Sequence, residues 1–304
     1  MGTSDGFQVN CSIRYLGSRM ASKLDFPCKE CEFTPSYMRL LPDRLSAPAA
    51  VEEAMSRFLS HLEDEGTDWN VDYWTTAISV LRRGKLINAL PTSVSRSFLT
   101  EYLGGRFAEL PKTTRGLTDW SAGESVIWAT DCFLLSRIWG DAPYDPSAER
   151  LSNESLQAFA IPKNRSNFIR ILSALESEGM HEAFRLAESY RIDTGVPFLG
   201  PAYMTKCWYV AAESWGAHPP LVMDRHVINF FRSTQLLAVP KIAAWRRPNI
   251  EYLSFDEYLR YNAAMCQWAN RLGVLAPELE FCVFENGRKL PIPPEDFRYG
   301  GERG

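Results

Sequence analysis

Two residues of opposite charge stand in apolar surroundings and offer the clearest candidates for chemistry. Lys206 lies in residues 202–212, a run that is apolar nearly all round and predicts a buried helix. An ammonium group there is costly unless it faces a cleft or is paired. Asp224 follows three apolar residues and precedes a helical pattern over 225–231, where its carboxylate can cap the helix. A neutral lysine amine is a nucleophile and a carboxylate stabilises developing positive charge, so the two could act together.

The elements around these two residues could bring them into one cleft. Residues 194–200 are too rich in glycine and proline for a helix and predict a tight hairpin-like turn. Pro201 suits the first position of the next helix, where its missing N–H costs nothing. Between Lys206 and Asp224 the chain has room for one helix, a loop and a new helix start. That length allows the amine and the carboxylate to face each other.

At these residues the chain resembles the helix-hairpin-helix DNA glycosylases. That superfamily has a leucine-glycine hairpin, a helix bearing lysine and a Val-Asp-x-His box, which correspond in order to Leu199-Gly200, Thr205-Lys206 and Met223-Asp224-Arg225-His226. The Thr-Lys pair resembles the 8-oxoguanine DNA glycosylase branch. The sequence from Leu199 to Lys206 is similar to that of a prokaryotic group of that branch, which includes antiphage enzymes acting on hypermodified DNA. The family hairpin usually has two glycines just before the Thr-Lys pair, whereas this chain has Ala202 and Met204, so we expect the hairpin two residues earlier, around Gly200.

The resemblance implies a fold, a reaction and a set of site residues. The fold implied is mainly α, a helix-hairpin-helix DNA glycosylase-like arrangement with two helical lobes flanking a cleft. The reaction implied is excision of a flipped modified base from double-stranded DNA, with Lys206 and Asp224 as catalytic residues. The residues expected to contact substrate or DNA are Gly200, Tyr203, Thr205, Arg225, His226 and Arg232. Hairpins of this type often hold a monovalent cation through backbone carbonyls, and we expect no other cofactor.

Three functions stay open at this point. The first is a glycosylase that removes a hypermodified base, glucosylated hydroxymethylcytosine, from phage DNA as antiviral defence. The second is an 8-oxoguanine repair glycosylase with AP lyase activity, and the third is a non-catalytic helix-hairpin-helix DNA-binding module. We favour the first because the N-terminal half has a low match to repair enzymes and because the motif from Leu199 to Lys206 is similar to the antiphage group. A lone lysine on an apolar helix is usually a snorkelling residue and a lone aspartate an ordinary N-cap, so the assignment depends on the motifs occurring together.

Composition sets the broader expectations. The chain has 304 residues, of which 45% are hydrophobic and 23% charged, as in an ordinary folded protein. The formal net charge of -4 argues weakly against a nucleic-acid partner, but phosphate binding needs only a local basic face. No apolar run is long enough to span a membrane, so we do not expect a membrane as a partner. We expect a monomer.

The seven cysteines are typical of a reducing compartment. The count is odd, and residues 1–10 lack the basic stretch and apolar block of a secretory signal, so we predict a cytoplasmic protein. Cys28 and Cys31 have CxxC spacing, but a second such pair or a nearby paired histidine is missing. We therefore expect no metal site there and no iron–sulfur cluster.

The pattern along the chain suggests four regions. We predict an irregular segment over 1–48, an N-terminal helical region over 49–120, a glycosylase-like region over 121–285 and a C-terminal tail over 286–304. Capping boxes are expected at Ser121–Glu124 and Ser254–Glu257, and helix ends at Gly140, Gly179 and Gly273. Further helices are predicted over 49–62, 71–81, 167–175 and 180–190. Strand signals are sparse and short, which favours a mainly α chain.

Overall fold

The described part of the chain is mainly helical, as the sequence predicts. In the computed structural model, the described residues are 49, 51–52, 55, 67–68, 74–75, 78–79, 81–140, 154–194, 201–216, 219–234 and 255–291. The helices are α1 (Gly84–Ile87), α2 (Arg96–Ala108), α3 (Gly123–Gly140), α4 (Pro162–Ser177), α5 (Met180–Thr194), α6 (Pro201–Ser214), α7 (Arg225–Thr234), α8 (Phe255–Leu272) and α9 (Ala276–Lys289). Residues 154–160 are also helical. Two short strands, β1 (Thr67–Asp68) and β2 (Ser93–Val94), pair antiparallel, with Thr67 opposite Val94.

Helix α3 lies at the centre of the packing. It is buried continuously from residue 128 to residue 138, because apolar residues occur on every face, and the charged Asp131 and Arg137 are buried with them. It packs against α2, α4 and α6, while α6 in turn packs against α2 and α4. A second group of contacts joins α7 to α9 and α9 to α8. Lys206 and Asp224 thus start from different packing groups, on α6 and before α7.

Glycines end the helices where the sequence predicts. Gly179 separates α4 from α5 with φ of 91°, and Gly273 ends α8 with φ of 69°. Both are left-handed conformations that glycine adopts without strain. After Gly273, the Val274 N–H donates to the Ala269 carbonyl at 3.0 Å and closes the last turn. Helix α3 is described as far as Gly140, where the sequence predicts its end.

Other local predictions differ from the structure. The capping box at Ser121 does not form, because α3 begins only at Gly123 and the Ser121 N–H, which the Glu124 side chain would accept in a capping box, donates to the Asp119 carboxylate at 3.0 Å. Helix α9 was not predicted from the sequence. It continues to Lys289, past the proposed region boundary at residue 285. The proposed region boundaries and the two-lobe cleft remain predictions.

Some predictions concern residues that the structure does not describe. Cys28, Cys31, Gly200 and Ser254 lie outside the described residues. Within the described residues, no group of three or more His, Cys, Asp or Glu side chains could hold a metal ion. Among the described helices, none combines the length and the apolar character that a membrane span requires.

Candidate active site

Asp224 is the N-cap of α7, as its position before the helical pattern predicts. Its Oδ1 accepts hydrogen bonds from the backbone N–H groups of His226 at 2.9 Å and Val227 at 3.1 Å. Its own carbonyl accepts the Ile228 N–H at 3.0 Å, which closes the first turn. The residue is 5% exposed. These bonds fix the orientation of the carboxylate and leave Oδ2 pointing away from the helix backbone.

Helix α8 holds the extended segment that leads into this aspartate. The Tyr258 hydroxyl donates to the Leu221 carbonyl at 2.7 Å. The Tyr261 hydroxyl donates to the Val222 carbonyl at 2.8 Å. The Asn262 side-chain oxygen accepts the Leu221 N–H at 2.8 Å. Because buried backbone groups are costly when unpaired, this set of bonds defines the path of the segment closely.

Adjacent residues of α6 connect that helix to the same segment. The fully buried Thr205 hydroxyl accepts the Met223 N–H at 3.1 Å. Lys206, which is 9% exposed, places its Nζ 3.4 Å from Asp224 Oδ2. The two residues of the Thr-Lys pair therefore act differently. Thr205 fixes the backbone before Asp224, and Lys206 forms an ion pair with the Asp224 carboxylate. The structure thus brings Lys206 and Asp224 together in one buried site.

The charges around Asp224 keep its carboxylate ionised. Burial alone would raise the pKa of Asp224, but Lys206, His226 and the α7 backbone N–H groups outweigh burial and lower the pKa below its ordinary value. For His226, burial lowers the pKa, and the positive charges of Arg225, Lys206 and Arg288 act in the same direction, while Asp224 opposes them. At neutral pH the site therefore contains a carboxylate and a neutral imidazole.

A second carboxylate, which sequence reasoning missed, is buried on α9. Glu280 is fully buried, and its Oε2 lies 2.6 Å from Nη2 of Arg96. Burial raises the pKa of Glu280 to about 7, and the charge of Asp224 acts in the same direction, although Arg96 and Lys206 oppose the rise. Since α9 was not predicted, the sequence offered no signal that would have placed Glu280 near the lysine and aspartate.

Two glycines allow backbone to approach the site closely. A Cβ on Gly140 would lie 3.0 Å from Cδ and 3.1 Å from Nζ of Lys206. A Cβ on Gly287 would overlap the carbonyl oxygen of His226, so glycine there lets α9 pack against the first turn of α7. Sequence analysis identified Gly140 only as a helix end and did not single out Gly287.

The structure distributes the predicted substrate-contacting residues over several environments. The Tyr203 ring lies 3.7 Å from the guanidinium of the buried Arg137 on α3. Arg225 is exposed beside His226, and Arg232 is partly buried in the last turn of α7. The exposed Arg288, at the end of α9, contributes positive charge near His226. Arg288 was not among the residues predicted from the sequence. The signal that could have found it is the basic pair that it forms with Lys289 in the sequence.

Comparison with protein families places the chain in a class. A family model described as "Putative 8-oxoguanine DNA glycosylase OGG-like protein" matches residues 60–284. The chain belongs to this family, since the match covers most of its length, and it is therefore a helical DNA glycosylase-type enzyme that acts on DNA. The match includes residues 60–110, where the sequence alone indicated no likeness. No curated protein and no solved structure matches the chain.

Proposed function

We propose that the protein excises a modified base from duplex DNA, with Asp224 and Lys206 as its catalytic residues. The observation that carries the proposal is the buried contact of 3.4 Å between Lys206 Nζ and Asp224 Oδ2, at the start of α7. Cleavage of an N-glycosidic bond builds positive charge on the sugar, as in other glycosyl transfers. A carboxylate that is held rigidly and stays ionised stabilises that charge as it develops.

Lys206 supplies the nucleophile in this proposal. Its amine, once it has lost a proton to water, attacks C1′ as the bond to the base breaks. The base leaves with the electron pair of that bond and takes up a proton. The surplus proton on the attacking nitrogen passes to Asp224 or water, and opening of the sugar ring gives a protein–DNA Schiff base. Elimination from this Schiff base would break the DNA backbone and give AP lyase activity.

The contact between the two groups is compatible with this step. The Lys206–Asp224 pair meets the distance of an ion pair but does not form a well-aligned hydrogen bond. No well-aligned hydrogen bond therefore has to break when the sugar arrives, and the flexible lysine side chain can turn towards C1′ once its amine is neutral. The same carboxylate remains fixed by the two backbone N–H groups of α7.

A basic edge beside Asp224 supports DNA as the partner. Arg225 is exposed at the first position of α7, and the Arg288 side chain is 58% exposed at the end of α9. Both contribute positive charge around His226. Phosphate contacts from such residues would position the duplex without reading its sequence. A local basic edge of this kind reconciles DNA binding with the net charge of -4.

For the substrate, we propose glucosylated hydroxymethylcytosine in phage DNA, excised as antiviral defence. This substrate is supported by the sequence of the motif from 199 to 206, which resembles that of the antiphage group. The family description favours 8-oxoguanine as a second candidate. Digestion of a panel of phage and oxidised DNAs, with mass spectrometry of the freed base, tests both. Release of a glucosylated hydroxymethylcytosine base supports the first and release of 8-oxoguanine the second.

The same panel tests whether the protein is an enzyme on modified DNA at all. The wild type is compared with Asp224→Asn on every DNA, so that any base released by a contaminant appears in both samples. Release that depends on Asp224 supports the proposed function. DNA binding without release on any member of the panel would contradict it and leave a DNA-binding module.

A further inference from the structure

The C-terminal end of α3 lies directly against the side chain of Lys206. The described atoms nearest to a Cβ placed on Gly140 are Cδ, Nζ and Cε of this lysine, at 3.0, 3.1 and 3.4 Å. Contacts between 3.0 and 3.4 Å are tighter than those of nearly all real Cβ atoms. Any side chain at position 140 would therefore compete with the lysine for the same space.

The backbone next to Gly140 is anchored, so it cannot easily withdraw from the lysine. The ring of Trp139 packs against Tyr209 of α6, with ring centroids 6.1 Å apart. The Arg96 guanidinium lies 5.0 Å from the centroid of each of these two rings. Arg96 is in turn paired with Glu280, and it donates to the Pro277 carbonyl at 3.3 Å. Helices α2, α3, α6 and α9 are thus joined at this point.

If a side chain were added at position 140, the lysine side chain would move rather than the backbone of α3. Its terminal carbons and nitrogen have rotational freedom, whereas Trp139 is held by the ring contacts and by Arg96.

We propose that Gly140 is a positioning residue, whose missing side chain sets where the Lys206 amine lies relative to Asp224. The inference rests on the proposed function, in which that amine attacks the sugar. Displacement of a nucleophile by a few tenths of an ångström to one ångström lowers rates strongly, because attack requires close alignment. Gly140 acts only through Lys206 and need not touch the substrate.

Gly140→Ala separates this role from a role in stability. Alanine favours a helix more than glycine does, so the variant should fold with a melting temperature equal to or above that of the wild type. The matched control is Gly123→Ala, at the other end of the same helix, where an added Cβ meets no described atom within 4 Å. Under single turnover, we expect Gly140→Ala to release base about tenfold more slowly, with unchanged DNA affinity. Gly123→Ala should match the wild type.

A double-mutant cycle tests whether the effect passes through Lys206. In a Lys206→Ala background, Gly140→Ala should cause no further loss of the residual rate of base release, because the group that it displaces is absent. A rate within twofold of the wild type for Gly140→Ala alone would overturn the inference. A loss of the same size in the Lys206→Ala background would also overturn it, since Gly140 would then act by another route.

A labelling experiment gives an answer that does not depend on catalysis. The extent of modification of Lys206 by an amine-reactive reagent is measured by peptide mass spectrometry in the wild type and both glycine variants. We expect Gly140→Ala to change the labelling of Lys206, with Gly123→Ala unchanged. Unchanged labelling in Gly140→Ala would overturn the positioning role. Altered labelling in a protein that releases no base from any DNA would instead reject the proposed function and leave the positioning role standing.

Discussion

Two buried aspartates in this protein have cationic partners, but they are bonded in different ways. Asp131, fully buried in the middle of α3, accepts Arg83 at both oxygens, at 2.6 and 2.7 Å, and also accepts Arg106. Asp224 uses one oxygen to cap α7 and has its other oxygen 3.4 Å from Lys206. Among the described residues, no group donates a well-aligned hydrogen bond to that second oxygen.

The difference separates a structural carboxylate from one that is available for chemistry. The oxygens of Asp131 are saturated by two arginines, so a ligand would have to displace guanidinium groups to reach them. Asp224 keeps an oxygen whose only ion-pair partner among the described residues is a flexible amine. Burial and ionic pairing are therefore not enough to identify a site; the number of uncommitted lone pairs distinguishes the two residues.

The largest expected effect concerns Asp224. Asp224→Asn should lower the single-turnover rate of base release by about 10³-fold, because the ionised carboxylate that stabilises the sugar is lost. The fold should survive, since the amide oxygen can still accept the α7 N–H groups. The rate is measured with the circular dichroism spectrum and the DNA affinity as controls. A rate near that of the wild type would remove Asp224 from the mechanism.

Asp131→Asn should have the opposite effects: a large loss of stability and little change in the rate of base release. Two arginines lose their charged partner, and the free energy of unfolding should fall by about 3–5 kcal/mol. Base release per folded molecule should stay within a few fold of the wild type. Denaturant unfolding measures the first quantity, and the rate corrected for the folded fraction measures the second. If Asp131→Asn were stable but inactive, the two aspartates would not differ as described.

Glu280 gives a prediction about pH dependence. Its pKa is about 7 in the folded protein and about 4.3 in an unfolded chain, so between these values the folded state binds more protons. Its contribution to stability should therefore fall as pH rises from about 4.3 to about 7. His226, with its lowered pKa, contributes stability that is lost as pH falls below its unfolded value of about 6.5. The two effects oppose each other over much of this range.

The Glu280→Gln variant isolates the first effect. The difference in unfolding free energy between the wild type and the variant is measured across the pH range from 4 to about 8, so that the contribution of His226 cancels. We expect the wild type to lose stability relative to Glu280→Gln as pH rises through this range. A difference that does not change with pH would show that Glu280 does not titrate in this window.

The smallest effect concerns the basic edge beside Asp224. Arg288→Ala should reduce the slope of log affinity for DNA against log salt by about one and weaken binding modestly. Arg185→Ala is a matched control, because Arg185 and Arg288 are 59% and 58% exposed and each pairs with a glutamate one turn away on its own helix. Equal effects of the two substitutions would argue against a DNA contact at the end of α9.

Local chemistry explains what the sequence could predict. The cap at Asp224, the helix starting at Pro201 and the ends at Gly179 and Gly273 each depend on residues close together in the chain. The capping box at Ser121 failed for an equally local reason, since the Asp119 carboxylate accepts the Ser121 N–H in place of Glu124. Competing acceptors two residues away are easily overlooked when a motif is matched by spacing alone.

Long-range packing accounts for what the sequence could not predict. Glu280 and Arg96 meet across more than half of the chain, and the lysine meets Gly140 from a different helix. No periodicity or spacing encodes such contacts. The hypothesis that Lys206 and Asp224 form one site came from motif order and family resemblance. The hydrogen bonds by which Tyr258, Tyr261 and Asn262 of α8 hold the segment before Asp224 became visible only in three dimensions.

In the proposed mechanism, Lys206 forms a covalent bond to the sugar while Asp224 stabilises the positive charge that develops on the sugar. Borohydride trapping with substrate DNA, followed by peptide mapping of the adduct, tests it most directly. We predict a reduced protein–DNA adduct on Lys206 that disappears in Lys206→Ala, together with a loss of base release. If the wild type formed no adduct, and Lys206→Ala released base at the full rate, the covalent mechanism would be contradicted and Asp224 would act by activating water.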